Sequence, residues 1–139
     1  MIVVDTNVLS ELMRMRPEPA VLRWFGKQSH TELFTTSISQ AELFYGLYLL
    51  PLGKRRDKLV VEAETIFNVD FADRVLPFED ASARQFAAIA AARRSKGRPI
   101  IDLNAQIAAI ACTHHAAVAT RNVRDFENCG IKLVDPWQA

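Results

Sequence analysis

Acidic and amide side chains stand at four junctions along this sequence, each beside a short apolar run. Asp5 follows Met1–Val4 and opens the polar triplet Asp5-Thr6-Asn7. Glu42 lies within Ser39-Gln40-Ala41-Glu42-Leu43. Asp102 and Asn104 flank Leu103 ahead of Ala105-Gln106-Ile107-Ala108-Ala109, and Asn122 follows Thr120-Arg121, with Asp125 three residues on. Carboxylates brought together from distant parts of a chain hold Mg²⁺, which takes oxygen ligands and keeps several waters, so one or two carboxylates plus a substrate phosphate suffice per ion. A pair of such ions ~4 Å apart activates water and stabilises the leaving oxygen of an in-line displacement. Taken singly, each acid has a plainer role. Asp5 caps a helix, Glu42 reaches back to Ser39 as a capping-box glutamate, and Asp102 caps the helix that starts at Leu103. Asp125 is either a member of the site or a solvated charge at a helix start.

Bringing these positions together requires a sheet. Met1–Val4 is a β-branched apolar run that reads as a fully buried strand. Leu33–Thr36, Arg74–Pro77, Ala116–Ala119 and Ile131–Val134 are the further strand candidates. Between them lie helical patterns: Thr6 to about Met15, Ala20–Lys27, Gln40 to about Leu50 with Ser39 as cap, Lys54–Phe67, Ala81–Ser95 and Leu103–His114. Short strands alternating with longer helices imply parallel pairing through crossover helices, an α/β fold with four or five short strands. In such sheets the functional groups gather beyond the carboxyl ends of the strands, where Asp5 and Thr120–Asn122 fall.

The chain has 139 residues, half of them hydrophobic and 24% charged, the mix of one globular domain spanning 1–139 rather than of a disordered segment. The 17 basic residues nearly balance the 16 acidic ones, so no global field draws in a polyanion, which must meet a local patch or bound metal ions. Cys112 and Cys129 are too few for a disulfide framework and read as reduced thiols. His30, His114 and His115 have no metal-ligand spacing with them, and no Gly-rich phosphate loop exists. No run approaches the ~18 apolar residues of a membrane span. The opening residues read as a strand rather than a leader, so the expected location is cytoplasmic and away from membranes.

Several local motifs occur in a fixed order. They are Val4-Asp5-Thr6-Asn7, Ala41-Glu42-Leu43 with Gly46, Gly97-Arg98-Pro99-Ile100, Ala105-Gln106-Ile107-Ala108-Ala109, Thr120-Arg121-Asn122 and the closing Pro136-Trp137. In this the whole chain resembles the PIN-domain nucleases of the VapC toxin type. The resemblance implies a three-layer α/β/α domain and a ribonuclease that uses Mg²⁺ or Mn²⁺ on RNA phosphodiesters. It also implies the toxin of a toxin–antitoxin pair, with a cognate antitoxin and a second copy of the chain as partners. Asp5 and Glu42 match the first two family acids. At the third, the family aspartate before Ala-Gln-Ile-Ala-Ala is replaced by Asn104. Asp102, two residues upstream, lies about 200° away around a helix start and does not substitute for it. The fourth family position carries Asp or Asn, here Asn122.

The expected catalytic set is therefore Asp5, Glu42, Asn104 and Asp125, and the expected metal ligands are Asp5, Glu42, Asn104 and Asn122, in an enzyme weakened or inactive as written. Asn104 has two open explanations: an exchange that makes a toxic protein obtainable, or a natural variant with weakened metal binding. A non-catalytic PIN-like module that binds RNA or an antitoxin is the competing reading. An aspartyl-phosphate phosphatase would need an acid where Asn7 stands. Lys54-Arg55-Arg56 reads as a solvated helix start, while Arg93, Arg94, Lys96 and Arg98 form the cationic cluster better placed for RNA. On the Gln40–Leu50 helix, Ala41, Leu43, Phe44, Tyr45, Leu47, Tyr48, Leu49 and Leu50 go almost all the way round, whereas a stripe of ~100° suffices for packing. The excess predicts a partner-binding groove, extended by Leu9, Leu12, Met13, Trp24 and Phe25.

Overall fold

The computed structural model describes residues 1–139. Five strands, β1 (Ile2–Val4), β2 (Leu33–Thr36), β3 (Val75–Leu76), β4 (Ala117–Ala119) and β5 (Leu133–Val134), form one sheet in the order β3-β2-β1-β4-β5. Every pairing is parallel. β1 is central, with Val3 opposite Val118 and Val4 opposite Ala119 in β4. The chain leaves β1 towards β2 and β3 on one side, and returns through β4 to the other. The crevice where the order reverses therefore opens beyond the carboxyl ends of β1 and β4.

Six helices cover the two faces: α1 (Thr6–Leu12), α2 (Pro19–Lys27), α3 (Ser37–Tyr48), α4 (Lys54–Thr65), α5 (Asp80–Ser95) and α6 (Asp102–Thr113). Successive strand residues point to opposite faces, and the core divides accordingly. Val4 and Ala119 pack with Val8, Leu9, Val21, Trp24, Leu43 and Leu47 of α1 to α3. Val3 and Val118 pack with Ile89 of α5 and Ile107, Ala108 and Ala111 of α6. Burial on both sides is why the strands read as unbroken apolar runs. The result is a three-layer α/β/α sandwich.

Local capping shifts several boundaries. α1 is expected to reach Met15 but ends at Leu12, leaving Met15 in solvent. Asp5 is its N-cap, as the plainer reading of that residue expects, and accepts from the Thr6 amide at 2.8 Å. α3 starts at Ser37, not Gln40, because Thr36 already caps it by accepting from the Ser39 amide at 3.0 Å. Ser39 thus lies inside the helix and is buried, and Glu42 has no capping box to complete. α4 gives way after Thr65 to a π turn over Ile66–Asp70. Asp102 is the first helical residue of α6, not its cap; the capping position is Ile101, with no side-chain bond.

α5 ends in a Schellman motif: the Gly97 amide donates to Arg94 O and the Arg98 amide to Arg93 O, with Gly97 at φ 71°. That turn swings the chain towards α6. The neighbouring Arg93 is buried, and its guanidinium donates to the carbonyls of Arg98 (2.7 Å), Asp125 (3.0 Å) and Glu127 (3.0 Å). It ties the segment entering α6 to the segment that follows β4. Arg93 is therefore a structural staple, and Arg98 pairs with Glu127 at 3.2 Å. The expected cationic cluster does not face the crevice as a group.

The outer face of α3 follows expectation only in part. Leu43 and Leu47 turn inward, while Tyr45, Tyr48 and Leu49 are exposed. Leu9 and Trp24, expected to extend that surface, are buried in the core.

Candidate active site

β1 ends against β4, where the Asp5 amide donates to Ala119 O at 2.9 Å. The Asp5 carboxylate is thereby held in the crevice, and its oxygens are nearly saturated. Oδ1 accepts from the Thr6 amide, while Oδ2 accepts from the Thr120 hydroxyl at 2.8 Å and the Asn7 amide nitrogen at 3.2 Å. Thr120 in turn accepts from the Asn122 amide at 3.0 Å and from Asn7 at 3.1 Å, and Asn7 Oδ1 accepts from the Arg121 amide at 3.2 Å. The ends of β1 and β4 are thus laced into one network. Glu42 enters from α3, where its Oε1 accepts from the Thr6 hydroxyl at 3.0 Å. Thr6 therefore binds Asp5 through its backbone and Glu42 through its side chain, and joins the two carboxylates.

Asn104, on the first turn of α6, and Asn122, just past β4, complete the wall of an open cavity of about 460 Å³. Four sequence-predicted positions, Asp5, Glu42, Asn104 and Asn122, are thus brought to one place. Asp125 is not among the lining residues. It sits exposed on the 3-10 turn Val123–Phe126, and its charge still reaches Asp5. Asp102 is exposed and away from the cavity wall.

Burial, foremost, pushes the Asp5 carboxyl above its ordinary value, against the hydrogen bonds from Thr120, Thr6 and Asn7, with a smaller push from Asp125. Glu42 is pushed up as well, by desolvation and then by the negative charge of Asp5, with the Thr6 hydroxyl opposing. Neither is in an ion pair. Two neighbouring carboxylates with no cation of the chain to neutralise them favour a bound cation. The donors are all oxygen, from two carboxylates and the side-chain amides of Asn104 and Asn122. That set suits one hard divalent ion that keeps waters. No cluster of three or more Asp, Glu, His or Cys exists, so the carboxylate charge that two adjacent divalent ions require is lacking.

The sequence reading missed Glu11 and Arg14 at this cavity, and it quoted Arg121 and Trp137 within motifs without giving either a role. Glu11 is buried, and its carboxylate accepts from the Glu18 amide at 2.9 Å and pairs with Arg14 at 3.1 Å. The Glu18 amide first, and Arg14 after it, hold this carboxyl below the usual range against the effect of burial. The i,i+3 spacing of Glu11 and Arg14 was the available signal for that pair. Arg121 lies over the Trp137 ring, 5.0 Å from its centroid.

A family model for the PIN domain matches residues 2–131. The chain belongs to the PIN-domain family. Its relatives place it among the VapC-type members. It is 39% identical over 138 residues to "VapC ribonuclease Y4jK" of Sinorhizobium fredii, covering 99% of both chains. It is 34% identical to "Toxin FitB" of Neisseria gonorrhoeae, again over 99% of both. Among solved structures, FitAB bound to an IR36 DNA fragment contains a chain that superposes with a TM-score of 0.92 at 33% identity, covering 99% of this PIN domain and 96% of that chain. The expected family and three-layer fold are both borne out.

Proposed function

We propose that this PIN domain is a divalent-metal-dependent endoribonuclease, the toxin of a type II toxin–antitoxin pair, weakened or inactive as written because Asn104 stands where a third carboxylate would. The observation that carries the reading is the Asp5–Thr6–Glu42 linkage: two carboxylates held 2.8 and 3.0 Å from one threonine's donors, in one open cavity with the amides of Asn104 and Asn122, with no cation of the chain in an ion pair to either. Relatives named as ribonucleases and toxins support it.

Asp5 and Glu42 would hold Mg²⁺ or Mn²⁺, with Asn104 and Asn122 as neutral amide ligands. The bound ion would polarise an RNA phosphodiester and acidify a water. The chain's own part is positioning. Thr120 and Asn7 fix the rotation of the Asp5 carboxylate, while Thr6 sets the approach of Glu42. An amide at 104 offers an oxygen but no charge, so metal retention is the step that suffers. Asp125 contributes only through its longer-range field.

Partners follow from the surfaces. A groove of about 810 Å³ runs between α1, α3 and α4, floored by Met13, Leu43, Leu47 and Leu59 and rimmed by four cations, Arg14, Arg16, Arg55 and Lys58, against one acid, Glu62. Ser10 and Arg14 line both this groove and the metal cavity. We assign the groove to the antitoxin: an amphipathic segment laid there with acidic side chains against the cationic rim would reach the carboxylates with a basic side chain at its end, in place of metal. The exposed Tyr45 and Tyr48 of α3, with Leu49 just past its end, suit a second copy of the chain. No helix is long and apolar enough to cross a membrane, and cytoplasmic RNA is the substrate in this reading.

Because Glu11 is taken up by Arg14 and the Glu18 amide, Asp5 and Glu42 are the two carboxylates left for an ion, and a non-catalytic module that binds RNA or antitoxin is the second reading. Isothermal titration with Mg²⁺ and Mn²⁺, together with cleavage of a structured RNA, separates the two when the chain is compared with Asn104→Asp. Cleavage gained by the variant and abolished by EDTA supports the enzyme. A variant that binds no metal and cuts no RNA overturns it.

A further inference from the structure

The cavity walls contain two guanidinium groups, and their situations differ. Arg14 is engaged with Glu11. Arg121 forms no ion pair, and its side chain donates no hydrogen bond within the chain. It is held all the same. Its backbone amide donates to Asn7 Oδ1, and its guanidinium carbon lies over the half-buried Trp137, 5.0 Å from the ring centroid. The indole is anchored in turn, because the Trp137 amide donates to Asp135 at 2.9 Å and the ring packs on the core. Stacking a guanidinium on an aromatic face orders it while leaving its five donors in the plane free. A planar fork of free donors matches the paired oxygens of a phosphate.

We infer that Arg121, stacked on Trp137, is the residue that grips an RNA backbone phosphate next to the Asp5–Glu42 carboxylates. The inference rests on the nuclease reading for its substrate class, but it concerns a cation that the metal site itself does not use. Two features favour nucleic acid over a protein ligand here. Trp137 is the one apolar residue lining this cavity, whereas the neighbouring groove has the apolar floor that a protein segment needs. The cationic cluster at Arg93 to Arg98 is also partly spent, since Arg93 is buried on backbone carbonyls and Arg98 is paired with Glu127. Arg121 thus lets a chain with a balanced overall charge hold a polyanion beside two carboxylates: the attraction is local, and the carboxylates are left for a cation.

The test is fluorescence anisotropy with a 5′-labelled, mixed-sequence, single-stranded RNA of a dozen nucleotides, in Ca²⁺, across a KCl series. A gel confirms that the probe stays intact. Arg121→Gln should bind about ten-fold more weakly, and the slope of log affinity against log salt should flatten by about 0.7, one phosphate contact's worth for a single strand. Arg121→Lys should recover the slope but only part of the affinity, because it restores the charge without the stacked fork. Arg23→Gln, an exposed cation on α2, should change neither. Arg121→Gln should melt at the parent's temperature, because the exposed guanidinium has no ion pair to lose, which guards against a variant that merely fails to fold. Parent-like affinity and slope in Arg121→Gln, or no RNA binding by the parent, overturns the assignment. So does an Arg121→Gln that binds RNA normally but no longer retains a co-expressed antitoxin. If Asn104→Asp cleaves RNA while Arg121→Gln binds it normally, the nuclease reading stands and this inference falls. If Asn104→Asp stays inert while Arg121→Gln loses RNA, the nuclease reading falls and the phosphate contact stands.

Discussion

The two halves of the carboxylate cavity are built differently. On the carboxylate side, Asp5 accepts from three donors and Glu42 from a fourth, and each of Thr6, Asn7 and Thr120 joins at least two partners. On the amide side, Asn104 and Asn122 line the same cavity, yet neither side chain is hydrogen-bonded within the chain. One half is preorganised and charged, while the other is positioned by backbone alone and neutral. A network of buried, mutually satisfied groups withstands the repulsion between its carboxylates. In the proposed metal site, a missing charge would therefore weaken retention of the ion more than a loss of shape would.

The sharpest way to break that asymmetry is to restore charge on the amide side. Asn104→Asp should raise Mg²⁺ or Mn²⁺ affinity about 100-fold, well within the ~4 kcal/mol that one added unit charge gains at 4 Å and an effective dielectric of 20, before desolvation and repulsion offset part of it. The same variant should be less stable than the parent in EDTA, because a third carboxylate then faces Asp5 and Glu42 without a counterion. Calorimetric metal titration and thermal melts with and without metal read both effects. Unchanged affinity would mean that position 104 does not face the ion.

The next perturbation attacks the rigid half. Thr120→Val keeps the shape of a fully buried side chain but deletes the hydroxyl that donates to Asp5 and accepts from the Asn122 and Asn7 nitrogens. Leaving those groups unpaired should cost about 2 kcal/mol of stability, measured as a lower urea midpoint at an unchanged slope. Metal affinity should fall with it, since the Asp5 carboxylate is then free to rotate. Thr120→Ser should recover both. A Thr120→Val chain as stable as the parent would show that the lacing between β1 and β4 carries no weight.

The same contrast explains what was legible in the sequence. The order of elements and the parallel sheet were readable because apolar strand runs and helical spacings are local patterns. Asp5 and Asn122 were readable as positions because each follows a strand, whereas the choice of Asn104 over Asp102, and of Glu42 as more than a capping glutamate, came from the family resemblance. Helix starts were read less well. Ser39 and Asp102 are good capping residues, but Thr36 lies one turn earlier for α3, and α6 begins without a side-chain cap at all. Arg93 looked like a surface cation because nothing in the sequence reveals three carbonyls arriving from distant segments. Arg121 and Trp137 sit together only because β4 and β5 are neighbours in the sheet. Such long-range pairings carry no periodic signature.

The smallest expected effect concerns how the two carboxylates titrate. In the folded, metal-free chain, Asp5 and Glu42 both hold their protons to higher pH than they do when unfolded. The folded state therefore binds more protons than the unfolded state between the ordinary carboxylate values and the raised ones, and unfolding free energy must fall as pH rises through that window. Stability from these two groups is present at acid pH and lost towards neutrality. Removing the Glu42 charge should lessen this loss. Glu42→Gln keeps an oxygen to accept from Thr6, and in EDTA at pH 7 it should gain about 0.5 kcal/mol, a small figure because Glu42 is only half-buried and solvent screens its repulsion by Asp5. The gain should vanish below the ordinary carboxylate range, where the parent's Glu42 is itself protonated. It should reverse in saturating Mg²⁺, where the parent binds the ion and the variant has lost a ligand. Urea denaturation of both chains at acid and neutral pH, with and without metal, gives the four values. A Glu42→Gln chain less stable than the parent in EDTA at pH 7 would mean that the Thr6–Glu42 bond outweighs the repulsion from Asp5, and that the charged half of the cavity rests without a counterion.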